Sequence, residues 1–233
     1  MRSIVRLAAL TIVLVVCAAA GQATKPAMQK FRLDSIDGLE MHNIKADVTE
    51  YRGRRSVRLT RRVDQGAAAS VEDESIAILE GTDFQDGTIE AEIAGMPAAD
   101  APPDARGFVG IAFRVAGRGE KFECFYLRPT NGRADDQLRR NHALQYISHP
   151  DYPWFKLRKE NPGQYESYAD LESGVWTKIK IEVQGTKARL YVNGASQPAL
   201  IVRDLKLGES RGKIALWSTV ETDGYFSNLT IKQ

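Results

Sequence analysis

Cysteine is nearly missing from this chain, which carries only Cys17 and Cys124. That excludes a small fold stapled by several disulfides. Histidine is almost as scarce, and neither His142 nor His149 has an H-x-x-x-H or H-E-x-x-H partner, so no zinc signature is present. There is no G-x-S-x-G nucleophile elbow, no P-loop and no dinucleotide glycine fingerprint. No segment holds a long apolar period of 3.6 residues, which argues against a helical core. Asp135, Asp136 and Asp151 are candidate calcium ligands, but no EF-hand-like loop surrounds them, so the sequence calls for no cofactor.

Long hydrophobic runs are missing too, except one. Leu7–Val16 is apolar, follows Arg2 and Arg6, and precedes Ala18, Ala19 and Ala20. This is the charge, apolar stretch and small-residue order of an export signal, too short to span a bilayer comfortably. Residues 1–20 therefore read as a signal peptide and 21–30 as a linker, with export to a periplasm or the medium expected. A lipoprotein anchor at Cys17 is disfavoured, because Val16 stands where a small residue is wanted. Without residues 1–20 the chain has 30 basic and 30 acidic side chains, so neither nucleic acid nor an anionic membrane is the expected partner. Cys124 would then be the lone cysteine, read as a packed small hydrophobe.

What is present is a series of short strand-like runs broken by turn residues. They are Ser56–Leu59, Ser75–Leu79, Gly87–Ile93, Phe108–Val115, Phe122–Arg128, Ala143–Ile147, Lys178–Val183, Ala188–Val192, Lys213–Trp217 and Tyr225–Lys232. The plainest is the run in which Ile179, Ile181 and Val183 alternate with Lys178, Lys180 and Glu182, giving one core face and one wet face. Asn193-Gly194 supplies type I′ turn chemistry. Gly66–Ser70 and Gly95–Asp104 read as surface loops. The Asn228-Leu229-Thr230 sequon lies within a strand run and is read as chance. The expectation is an all-β sandwich or barrel occupying residues 31–233 as one domain.

One stretch departs from this pattern. Phe122–Leu171 is polar, aromatic and proline-broken, and its weak apolar periodicity argues for a long binding loop rather than buried core. Gln145 is placed on a short strand; His149, Trp154 and Arg158 follow on loop. Trp154 beside Pro153 offers a stacking face for a sugar ring, or else an anchor for the loop. His142 and His149 are candidates for a general base. Glu90 and Glu92 share one strand face, with Cα atoms about 6–7 Å apart from the strand rise. Two such carboxylates serve glycoside cleavage when they flank the bond, and otherwise decorate a solvent face.

The run Trp176, Ile179, Ile181, Val183, then Leu190, Tyr191, Val192, Asn193 and Gly194, resembles laminin G-like domains and other concanavalin A-like lectin/glucanase folds. Gly87–Glu92 with Gly110–Arg114, and Gly212–Trp217 with Gly224–Ile231, resemble the 3-keto-disaccharide hydrolase branch of that superfamily. The resemblance covers most of residues 80–232. It implies a jelly roll of two antiparallel sheets, the concave one often binding glycans. Family 16 glycoside hydrolases carry Glu-x-Asp-x-Glu on such a strand; here Thr88, Glu90 and Glu92 stand in those places, so one outer acid is missing. On the concave reading Glu90, Glu92, Arg114, Tyr126 and Arg128 form one patch; the alternative is an ion-pair ladder across strands.

The sequence thus points to a secreted carbohydrate-binding domain contacting its glycan through Arg114, Tyr126, Arg128, Gln145, His149, Trp154, Arg158 and Trp217. A glycoside hydrolase or lyase using Glu90 and Glu92 is the second reading. An adhesive protein-binding module is the third, and would need a large exposed apolar patch.

Overall fold

The computed structural model describes residues 28–61 and 75–233. The expected signal peptide, Cys17, most of the linker and the Gly66–Ser70 loop lie outside them.

Strand alternation builds two antiparallel sheets. The first contains β1 (Met28–Phe31), β3 (Lys45–Tyr51), β4 (Arg54–Thr60), β6 (Gly87–Pro97), β11 (Thr177–Gln184), β12 (Lys187–Val192), β13 (Leu200–Val202) and β15 (Thr222–Lys232). Its order is β13-β12-β11-β6-β15-β4-β3, and β1 pairs β15 beyond a bulge. The second contains β2 (Leu39–His42), β5 (Ser75–Phe84), β7 (Val109–Ala116), β8 (Lys121–Leu127), β9 (Leu144–His149), β10 (Glu166–Ser167) and β14 (Gly212–Ser218). Its order is β10-β9-β8-β7-β14-β5-β2. Two short helices, α1 (Gln137–Asn141) and α2 (Trp154–Glu160), sit in the excursions on either side of β9.

The core lies between the sheets. Ile89, Ala91 and Ile93 of β6 and Ile179, Ile181 and Val183 of β11 meet Ile111, Phe113, Phe125 and Leu216 from the other sheet. Burying each large side chain contributes roughly 1.5–3 kcal/mol. The seven-stranded sheet is apolar on its outer face as well. Ile76, Ile78, Ala112, Val115, Phe122, Cys124, Tyr126, Ile147, Ala215 and Trp217 form a second buried cluster there. A strand apolar on both faces shows no alternation, which is why β8 reads as a continuous run.

Glu123 is the exception on the inner face, sharing it with Phe125 and Leu127 while fully buried. Its carboxylate accepts from the Tyr146 hydroxyl at 2.5 Å and from the Leu207 amide at 2.7 Å. The Tyr146 hydroxyl in turn accepts from the Lys206 amide at 2.9 Å. This chain fastens the segment after β13 over one end of the core. Burial pushes the Glu123 carboxyl above its ordinary range, against the hydrogen bonds that favour its charge.

All ten expected strands occur, and Asn193 and Gly194 both adopt the positive φ that a type I′ turn requires. Three expectations need correction. Residues 28–30, assigned to the linker, form a strand paired with β15. Phe122–Leu171 is not an exposed loop: Phe125, Tyr146, Leu157, Tyr165 and Leu171 are all core. His149 ends strand β9, and Trp154 and Arg158 lie on a helix, rather than on a loop.

Tyr146→Phe removes the donor to Glu123 and the acceptor for Lys206. It is expected to cost about 1–3 kcal/mol in urea unfolding, the range for stranding buried polar partners.

Candidate functional site

The site grows from one row of residues across the seven-stranded sheet. Ile76, Trp217, Gly110, Tyr126, Gln145 and Glu166 stand opposite one another on β5, β14, β7, β8, β9 and β10. Opposed residues share a face. Gly110 is the gap in the row, and a Cβ there would lie 2.3 Å from the Phe125 carbonyl oxygen and 2.6 Å from the Tyr126 Cβ. Its missing side chain lets Tyr126 and Trp217, two strands apart, stack at 4.7 Å between ring centroids. Phe108 adds a third ring 5.3 Å from Tyr126.

Arg128, two residues beyond Tyr126 and on the same face, is 4% exposed. Its guanidinium donates to the His142 carbonyl at 3.0 Å, the Tyr126 hydroxyl at 2.9 Å and the Gln145 side-chain oxygen at 3.1 Å. The rings of Phe108, Tyr126 and Trp154 lie 5.3, 5.1 and 5.7 Å from its central carbon. Burial draws this cation's pKa below its ordinary value, with the charge of Arg158 acting the same way. Gln145 is held in turn, its amide donating to the Tyr146 and Tyr165 carbonyls.

Glu166, at the end of the row, organises the helix. It accepts from Arg158 Nε at 3.0 Å and Nη2 at 2.7 Å, while His142 Nε2 lies 3.1 Å from its other oxygen. Burial and the nearby Arg158 and Arg128 lower the His142 pKa, outweighing Glu166. Arg158 also stacks on Trp154 at 4.7 Å. Trp154, 38% exposed, stands at the rim with its ring backed by two guanidiniums.

These groups enclose two adjoining cavities that share Phe108 and Trp154. One, about 380 Å³, is aromatic, lined by Tyr126, His149, Phe155 and Trp217 among others. The other, about 520 Å³, is polar, lined by Arg106, Arg128, Asn131, Arg139, Arg158 and Glu221 among others. Asn131 braces the polar side: its amide donates to the His142 carbonyl at 3.1 Å and its oxygen accepts from Arg139 at 2.9 Å. Burial, then the charge of Asp104, raises the Glu221 carboxyl above its ordinary range. An apolar face beside fixed hydrogen-bond donors is the usual form of a small-ligand cleft. Among the described residues no group of three or more His, Cys, Asp or Glu is placed to hold a metal, and no helix is long and apolar enough to cross a membrane.

The structure brings together Tyr126, Arg128, Gln145, His149, Trp154, Arg158 and Trp217. It does not bring Glu90 and Glu92 to them. Those two lie on the outer face of the eight-stranded sheet, across the core from the cleft, so the single patch expected from the sequence is divided. Glu90 pairs with Lys232 at 3.1 Å and Lys178 at 3.6 Å. Glu92 pairs with Arg54 at 2.5 Å and accepts from Asn228 at 2.7 Å. The Glu90 pKa is lowered chiefly by Lys232. Glu92 is also lowered, burial being outweighed by Asn228 and Arg54. Both are held ionised in a cross-strand ladder.

Arg114 is not at the cleft either. It is 1% exposed, has φ 55° at a bulge, and donates to the Gln85 and Gly185 carbonyls at 2.9 and 2.8 Å and to Asp86 at 3.1 Å. Its role is to join turns at one end of the sandwich. Sequence reasoning missed Arg106, Phe108, Asn131, Arg139 and Glu221. No periodicity marks them, because they sit on loops, a strand margin and one turn of helix.

No protein-family model and no curated protein sequence matches the chain. Solved structures do. The carbohydrate-binding module CBM66 from Bacillus subtilis superposes at TM-score 0.52 with 12% identity, covering 82% of this chain and 97% of that one. A Bacillus subtilis protein of unknown function with a galectin-like fold gives TM-score 0.57 and 13% identity over 90% and 96%. The β-glucanase of Bacillus licheniformis gives TM-score 0.50 and 11% identity over 91% and 100%. The fold is a concanavalin A-like jelly roll.

Two substitutions separate the faces. Gly110→Ala is expected to destabilise by about 1–3 kcal/mol through overpacking against backbone, read by chemical denaturation. Glu92→Gln, on the solvated ladder, is expected to stay within about 1 kcal/mol of the parent.

Proposed function

We propose that this protein binds a glycan in the cleft on the outer face of its seven-stranded sheet. The observation that carries the reading is the exposed Trp154 ring, set beside Tyr126, Trp217 and Phe108 and fixed over the buried Arg128. A pyranose has a C–H face that stacks on an indole and a hydroxyl rim that needs fixed polar partners. Arg128, Asn131 and Arg158 supply donors, while Asp104 and Glu221 supply acceptors. Support also comes from the fold, shared with proteins described as a carbohydrate-binding module and a β-glucanase. Export, proposed from Arg2, Arg6, Leu7–Val16 and Ala18–Ala20, would place the domain where free glycans occur.

A second reading, glycoside cleavage, rests on Glu221. It is a carboxyl raised by burial and by Asp104 inside the cleft, the state a general acid needs. Glu90 and Glu92 lack that state and that place. Incubating the protein with polysaccharides, disaccharides and 3-keto-glycosides tests it: product that disappears in Glu221→Gln would favour the enzyme.

Binding is tested by calorimetric titration against a glycan panel. For a ligand of the parent protein, Trp154→Ala is expected to weaken affinity about tenfold or more, in line with hot-spot aromatics. Its partly exposed ring makes the fold largely indifferent to the change. Unaltered affinity in Trp154→Ala would remove this cleft as the site.

A further inference from the structure

Three guanidiniums converge on the polar half of the cleft, and no carboxylate is in ion-pair contact with any of them among the described residues. They are Arg106, Arg128 and Arg139. Several other arginines are ion-paired, among them Arg58 with Asp223, Arg133 with Asp170 and Arg158 with Glu166. The three have neutral partners instead. Arg128 donates to a carbonyl, a phenol and an amide oxygen. Arg139 donates to the Asn131 side-chain oxygen at 2.9 Å and the Thr130 hydroxyl at 3.1 Å. Arg106 donates to the Asp104 carbonyl.

This arrangement opposes stability. Burial lowers the Arg106 pKa, and the charge of Arg139 lowers it further, so the two cations feel each other. Arg128 is almost wholly withdrawn from water. A buried cation with no carboxylate in contact is costly; the charges of Glu166 near Arg128 and Asp104 near Arg106 offset part of that cost, and like charges sharing a cleft add to it. An anion entering between them would relieve both and form charge-assisted hydrogen bonds with planar donors suited to carboxylate or sulfate.

We infer that the ligand is an acidic saccharide, whose carboxylate or sulfate group seats among Arg106, Arg128 and Arg139 while its ring lies against Trp154. This rests on the glycan-binding reading and narrows it. The cleft also holds Asp104, Asp136 and Glu221, and they set the orientation. Asp136 is occupied in capping α1, accepting from the Arg139 amide at 2.9 Å. Asp104 and Glu221 are near enough to repel, and such a pair suits sugar hydroxyl donors rather than a second anion. The aromatic wall at Phe108 and Trp154 separates this site from a mere phosphate or polyanion patch.

The test uses pairs of polymers that differ only in charge: polygalacturonate and its methyl ester, dextran sulfate and dextran, with poly-L-glutamate as a polyanion without rings. Affinities are measured by calorimetry at low and physiological salt. The acidic member of at least one pair is expected to bind about tenfold or more tighter than its neutral counterpart. Arg139→Gln and Arg106→Gln, half-exposed changes whose fold is checked by circular dichroism, are each expected to remove most of that difference. Equal binding within every pair would overturn the inference and leave glycan binding standing, as would binding of neutral glycans alone. Poly-L-glutamate binding as tightly as the acidic polymers, or a preference unmoved by both arginine changes, would also overturn it. No binding to any glycan would overturn both readings.

Discussion

A side chain at position 110 would stand between Tyr126 and Trp217, and the row that crosses the seven-stranded sheet would lose its central contact. Because Gly110 has none, the two rings meet across an intervening strand. Tyr126 then presents its hydroxyl to Arg128, which Gln145, the next residue of the row, also receives. Glu166, at the row's end, fixes Arg158 and His142, and through Arg158 the indole of Trp154. Strand register therefore sets the aromatic row and the partners of Arg128, while Arg106, Asn131, Arg139 and Glu221 come from the loops and short helices around it. Sites built on strands in this way keep their geometry better than sites built on loops alone.

The two sheets divide the labour. Both contribute one face to the core, but their outer faces are opposite in character. The eight-stranded sheet carries Glu90, Glu92, Lys178, Lys232 and Arg54 in a ladder that compensates itself, with its acids ionised and its cations paired. Such a surface suits contact with water. The seven-stranded sheet instead buries aromatic rings and, among them, the Arg128 guanidinium, a cation that water would solvate better than the protein does. Buried polar groups with perturbed ionisation cluster at functional sites, which is the ground for seeking the ligand on this face.

Much of the fold was legible because it follows from alternation. Ile179, Ile181 and Val183 against lysines and glutamate can form only a strand with one wet face, and Asn193-Gly194 can only turn. The strands that escaped notice, such as β3 with its Lys45, Asp47 and Glu50, or β10 with two residues, lack that pattern. The site was legible by residue type but not by place. Tyr126, Arg128, Gln145, Trp154 and Trp217 were singled out for chemistry that suits a sugar, and they do converge. Glu90 and Arg114 were singled out by the same reasoning and do not: pairing order, which short runs do not encode, puts β6 in the other sheet, and Arg114 shares the cleft's sheet but sits at a bulge and turns to the Gln85 and Gly185 carbonyls. Phe122–Leu171 looked like a loop because strands apolar on both faces and short helices give no single period. Arg106 and Arg139 gave no signal, since nothing in a sequence distinguishes a paired arginine from an unpaired one.

The chain has three tryptophans, and their positions make the central claim directly measurable. Trp154 and Trp217 line the cleft, whereas Trp176 packs against Tyr51 at the other sheet, its indole donating to the Tyr51 carbonyl. In a nitrogen-15 spectrum titrated with a glycan ligand, the Trp154 and Trp217 indole signals should shift while that of Trp176 stays in place. A shift confined to Trp176, with the other two unmoved, would put the ligand on the charged ladder and contradict this account.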